Sequence, residues 1–65
     1  PMTERYMVPM TNTDLILAEN ALLAYYIHNR NSELTSKQTL AKVSNDLANH
    51  LRDVRIEYNY SPWED

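Results

Sequence analysis

Two groups of residues in the 65-residue chain have types and spacing that could support chemistry. The first is Pro1, because the secondary amine of an amino-terminal proline is less basic than a lysine side chain and can act as a base or nucleophile. The second is the row Asp46, His50 and Asp53, whose spacing places all three on one helical face. Such a row is a weak ligand set for a divalent metal. An exposed Asp46–His50 pair explains the same spacing, so we predict no metal site.

The start of the chain and the segment DVRIEYNYSPW near its end resemble the tautomerase superfamily. The resemblance implies that Pro1 is the catalytic base, that an arginine binds a carboxylate substrate, and that the fold is built from β-α-β units. Between these segments the chain carries two helix-start signals and no glycine for the turns of that family. Removal of an initiator methionine also explains Pro1. A tautomerase-like enzyme is therefore the least favoured of our alternatives.

The composition excludes several classes of site. The chain has no cysteine and no glycine, and its net charge is −3. Disulfides, cysteine metal sites and glycine-based phosphate loops are therefore excluded, and an acidic balance does not favour nucleic-acid binding. The apolar run from Leu15 to Ile27 is too short for a membrane span of about 20 residues. We expect a small acidic cytoplasmic protein that is not an enzyme and that uses no cofactor.

The first half of the chain predicts an arm followed by a helix. Residues 1–10 form the arm, which is punctuated by prolines and rich in apolar side chains. Thr11 followed by Asp14 is a variant of the capping box, so a first helix is predicted over residues 11–30. Asn29 and Asn31 are expected to end it, because asparagine tolerates the left-handed conformation that glycine usually supplies.

The second half predicts a longer helix over residues 35–59 and a tail over residues 60–65. Thr35 with Gln38 is a standard capping box, which makes Thr35 the predicted N-cap. Six apolar residues then recur within an arc of about 80° and form the seam expected of a packed helix. These residues, called the α2 stripe below, are Leu40, Val43, Leu47, Leu51, Val54 and Tyr58.

The alternation of apolar and polar residues in VRIEYNY also fits a strand over residues 54–60. Paired with an arm strand at about residues 3–8, it would give a β-α-α-β unit. No glycine, proline or asparagine is present at Arg52-Asp53 to make the joint, so the helix is favoured. The predicted fold class is all-α: a two-helix hairpin with an extended arm.

The first helix carries apolar side chains on all sides, and such a helix is normally buried on all sides. The second helix of the same chain can cover only one stripe of it. We therefore predict a homodimer or higher oligomer that forms a four-helix bundle. The alternative is that the arm and Trp63 close a monomer. The predicted oligomer interface consists of Leu15, Leu22 and Tyr26 with Ile16, Leu23 and Ile27.

Function is expected to be binding: a regulator, adaptor or inhibitor that contacts another macromolecule, most favourably a protein. The main alternative is a DNA-binding helix-turn-helix regulator, with its turn at Ser44 to Asp46. Asn45 stands there where glycine is usual, and helical periodicity continues through the turn position. The predicted partner-binding residues combine aromatic and cationic side chains: Tyr60, Trp63, Arg52 and Arg55.

Overall fold

The computed structural model describes residues 4–59, which contain two helices and no strand: α1 over Asn12–Asn29 and α2 over Thr35–Asn59. The five residues between the helices span at most about 20 Å when extended, much less than the roughly 37 Å length of α2. The helices therefore pack against each other in an antiparallel hairpin. The predicted helical hairpin is confirmed, and the strand alternative is wrong over residues 54–59, which belong to α2.

The predicted capping box begins α1. The backbone N–H of Asp14 donates to Oγ1 of Thr11 at 3.0 Å, and the backbone N–H of Thr11 donates to Oδ2 of Asp14 at 3.0 Å. Thr11 has the extended backbone of an N-cap, with φ −81° and ψ 169°. Two amide groups that the helix leaves without carbonyl partners are satisfied in this way, and the first turn is fixed.

The end of α1 differs from the prediction. No residue of the described range has a positive φ, and the C-cap Arg30 is right-handed, at φ −60° and ψ −28°. Asn29 contributes through its side chain instead, because its amide Nδ2 donates to the carbonyl of Tyr25 at 3.0 Å. The guanidinium of Arg30 lies over the ring of Tyr26, at 5.6 Å from the centroid. A side-chain cap thus replaces the left-handed turn that the asparagines suggested.

The N-cap of α2 lies one residue before Thr35, which the sequence predicted for that position. Leu34, rather than Thr35, holds the N-cap position, because its carbonyl accepts the N–H of Gln38 at 3.1 Å and Thr35 is already helical. The Gln38 side chain donates to the carbonyl of Ser32. The Ser32 hydroxyl accepts the N–H of Leu34 at 3.1 Å. Ser32, two residues before the N-cap, therefore supplies hydrogen bonds at the start of α2 that the sequence had predicted from Thr35.

Small side chains form the face of α2 that packs against α1. Ala41 and Ala48 are 0% and 1% exposed, and Ser44 between them is buried as well. These three positions follow the spacing of three and four residues that defines one helical face. The predicted seam, the α2 stripe, is centred about 90° farther around the helix at 100° per residue. The α2 stripe is therefore only partly covered within the hairpin: Leu51 and Val54 are half-buried, and its other members are exposed.

An ion pair crosses the hairpin between its helices. Nη2 of Arg55 lies 3.2 Å from Oε1 of Glu19, and their side chains are 28% and 13% exposed. Nε of the same arginine is buried and has no hydrogen-bond partner. The pair joins the first half of α1 to the second half of α2, as the antiparallel arrangement requires.

The hairpin is flat, and the arm does not thicken it. The Cα atoms extend over 47 × 28 × 14 Å. Residues 4–10 form neither helix nor strand and are exposed, and Met7 is 100% exposed. The arm therefore does not close the chain into a monomer, as one alternative required; Trp63 lies outside the described residues. A layer of two helices has two broad faces, and the described residues 4–59 cover neither of them.

Candidate interaction surfaces

The residues singled out for chemistry form no reactive centre between residues 4 and 59. Asp46, His50 and Asp53 are exposed on α2. No group of three metal-ligating side chains comes together in this part of the chain. Pro1 lies outside the described residues, and the β-α-β unit that the tautomerase resemblance implies does not occur within them. The features of the described chain that can bind another molecule are therefore the surfaces of the hairpin.

The first broad face carries the α2 stripe. Leu40, Val43 and Leu47 are exposed, and Leu51 and Val54 are half-buried. No charged residue falls inside the arc of about 80° that these side chains occupy, at 100° per residue. An uninterrupted row of large apolar side chains at the surface indicates an interaction site.

Part of α1 belongs to the same broad face. The seam is the line along which the two helices touch. In an antiparallel pair, residues that are rotated away from this seam in the same direction, each about its own helix axis, lie on the same broad face. Leu17 and Ala21 are displaced from the α1 seam in the same sense as the α2 stripe, and both are exposed. Asp14 and His28, near the two ends of α1, are exposed and displaced in this sense as well. The first broad face is therefore apolar along the α2 stripe and the middle of α1, with polar groups near the ends of α1.

The second broad face carries the α1 stripe, which we define as Ile16, Leu23 and Ile27. Ile16 and Ile27 are exposed and Leu23 is half-buried. Exposed Ile56 of α2 is displaced in the same sense and lies on this face, as does the polar side chain of Asn49. This face is a mixture of apolar and polar groups, which is typical of a surface that meets a separate partner.

The six residues of the predicted oligomer interface divide into two groups. Leu15, Leu22 and Tyr26 are half-buried on the side of α1 that packs against α2. These three side chains are therefore partly covered within the hairpin itself. The α1 stripe remains available for another molecule.

The predicted partner-binding residues have different surroundings. Arg55 is held by Glu19 and is half-buried, so it is not a free cationic contact. Arg52 is exposed, and its Nη2 donates to Oδ1 of Asn49 at 3.2 Å. Tyr60 and Trp63 lie outside the described residues.

The helix-turn-helix alternative needs a turn that α2 does not contain. The helix continues without a break through Ser44, Asn45 and Asp46. Ser44 is buried against α1, so this segment is part of the hairpin seam. Residues 4–59 therefore contain no separate recognition helix of the kind that this motif requires.

Sequence reasoning missed the role of the α2 seam. The signal was present, because Ala41, Ser44 and Ala48 repeat at three- and four-residue intervals. Alanine and serine are less apolar than leucine and valine, so the sequence pattern indicated the α2 stripe as the main apolar side of the helix. Small residues at such intervals allow two helices to approach closely, and large side chains of the partner helix then fill the space above them.

Two further findings bear on the function of these surfaces. No helix among residues 4–59 is long and apolar enough to cross a membrane. No protein-family model, curated protein or solved structure matches the chain.

Proposed function

We propose that the chain is a non-enzymatic protein-interaction module, which acts as a regulator, adaptor or inhibitor through an oligomeric helical scaffold. One observation supports this most directly. Among residues 4–59 the buried apolar residues are the small side chains Ala41 and Ala48, while Leu40, Val43 and Ile27 are exposed. A chain with most of its large apolar groups outside requires contact with other molecules, because burial of such groups is the main source of folding free energy.

The two broad faces have different roles in this proposal. The first broad face, whose α2 stripe carries no charged residue, closes the scaffold. The second broad face, with Ile16 and Ile27 among polar groups, receives the target protein. Isolated apolar anchors within a polar surround are the usual composition of an interface that forms and dissociates.

Affinity capture with matched variants tests the module. Purified wild-type chain, Ile16→Glu/Ile27→Glu and the control Ala24→Glu are immobilised and exposed to an extract of the source cells. Ala24 is an exposed residue of α1 outside the α1 stripe, so its variant adds charge to the same helix. We expect a saturable protein ligand that is retained by the wild type and the control and lost by the double variant. Circular dichroism must first show that all three remain helical.

Two outcomes would contradict the proposal. If the double variant retains every ligand of the wild type, the second broad face does not bind the target. If the retained material is nucleic acid that elutes with rising salt, phosphate contacts carry the binding and the module contacts DNA or RNA.

A further inference from the structure

We infer that the first broad face is the contact with a second copy of the chain, so that two hairpins stack into a four-helix bundle with the α2 stripes at its centre. The inference deepens the proposed function by naming the surface that builds the scaffold. It also moves the oligomer contact from α1, where the sequence placed it, to α2.

The surface area of the chain supports an obligate contact. The chain exposes 5784 Å². A compact folded protein of 7.6 kDa exposes about 4,300 Å², so this chain carries an excess of roughly 1,500 Å². The extended arm accounts for part of that excess. The excess is larger than the roughly 1,000 Å² that each copy contributes to the smallest obligate dimer interfaces.

The geometry of the α2 stripe suits a copy of itself. Successive members from Leu40 to Tyr58 are separated by three, four, four, three and four residues. Because the mean of these steps equals the period of a straight helix, the stripe runs parallel to the helix axis for about 27 Å. A two-fold axis places the same apolar row on both sides of the contact, which is self-complementary without any charge pairing.

A second copy of the chain also explains how the hairpin is stabilised better than a different protein does. The apolar residues buried within the described hairpin are alanines, so the large side chains of the first broad face must be covered for the hairpin to be stable. Such a surface has to be covered continuously from folding onward. Another copy of the chain is the partner that is always available in stoichiometric amount.

Sedimentation equilibrium on the wild-type chain and two matched variants tests the inference. Leu47 and Ile56 lie on opposite broad faces of the same helix and are 43% and 51% exposed. We expect a wild-type mass of about twice 7.6 kDa. Leu47→Glu should lose dimerisation and sediment as single chains, folded or unfolded, whereas Ile56→Glu should remain dimeric and helical.

Cross-linking keeps the test decisive if Leu47→Glu fails to fold. The chain has no cysteine, so Leu47→Cys and Ile56→Cys each introduce one reactive thiol. With a short bismaleimide we expect Leu47→Cys to form linked dimers with at least tenfold higher yield than Ile56→Cys. Both substitutions leave the α1–α2 seam intact.

Three results would overturn the inference: a folded wild-type monomer, a Leu47→Glu variant that stays dimeric, or equal cross-linking of the two cysteine variants. None of these depends on the capture experiment, which reports on Ile16 and Ile27. A dimer that assembles through another face would leave the proposed module in place. Loss of ligand selectivity with the predicted dimer intact would remove the proposed function alone.

Discussion

Glu19 and Arg55 lie 36 residues apart in the chain, and their side chains meet at 3.2 Å across the two helices. Both side chains are mostly covered, so solvent screens the pair less than it would screen a pair at the open surface. The contact fixes how far one helix is displaced along the other. It also explains why Arg55 is not available to bind a partner.

Replacement of one member of this pair should destabilise the hairpin. Glu19→Gln leaves the Arg55 charge without its counter-charge, and we expect a loss of about 1–2 kcal/mol, between the values for exposed and fully buried pairs. Urea unfolding followed by circular dichroism at fixed protein concentration measures it. Glu57→Gln, which removes the same charge from an exposed position of α2, should change stability by less than about 0.5 kcal/mol.

The pair should also be replaceable as a unit. In Glu19→Leu/Arg55→Met both charges are removed and apolar volume is kept, so no desolvation penalty remains. We expect this double variant to be at least as stable as Glu19→Gln. A double variant that is less stable than Glu19→Gln would show that the charges themselves hold the helices together.

The close packing of α2 on α1 predicts intolerance of larger side chains at the seam. Ala48→Leu adds volume at a position that is 1% exposed, and we expect a cost of about 1–3 kcal/mol from overpacking. Ala24→Leu is the matched control, because it makes the same change at an exposed position of α1. Thermal unfolding at one protein concentration compares them. A neutral Ala48→Leu would place the α1–α2 contact elsewhere on α2.

The capping box at the start of α1 gives a local prediction. Thr11→Ala removes the oxygen that accepts the N–H of Asp14, and the expected cost is about 1 kcal/mol. Thr13→Ala makes the same substitution inside the first turn, where alanine is the better helix former, and should be neutral or slightly stabilising. Urea midpoints of the two variants check the difference. Equal midpoints would mean that the cap contributes nothing to stability.

The sequence allowed the two helices to be predicted because their signals are local. The Thr11–Asp14 box involves residues three apart, and apolar periodicity marks the body of α2. The end of α1 was harder to predict, because Asn29 can end a helix either by a left-handed backbone or by its side-chain amide. Both uses suit the same residue, and the choice depends on where the following residues pass.

The face of α2 that packs on α1 could not be read from the sequence for a different reason. Hydrophobic periodicity identifies the most apolar side of a helix, here the side of Leu47, but it does not tell which molecule covers that side. Packing within the chain uses Ala41 and Ala48, because their small size permits close approach. The strongest apolar signal therefore marks the surface that remains open in the single chain.

Salt dependence gives a final prediction about the dimer. The α2 stripe contains no charged residue, and each copy carries a net charge of −3, so association brings together like charges. Added salt screens that repulsion and does not weaken an apolar contact. The association constant of the dimer should therefore stay level or rise between low and high sodium chloride. Sedimentation equilibrium at several salt concentrations measures it. A contact built on charged residues such as Arg52 would dissociate as salt rises, and that result would be incompatible with stacking of the two α2 stripes.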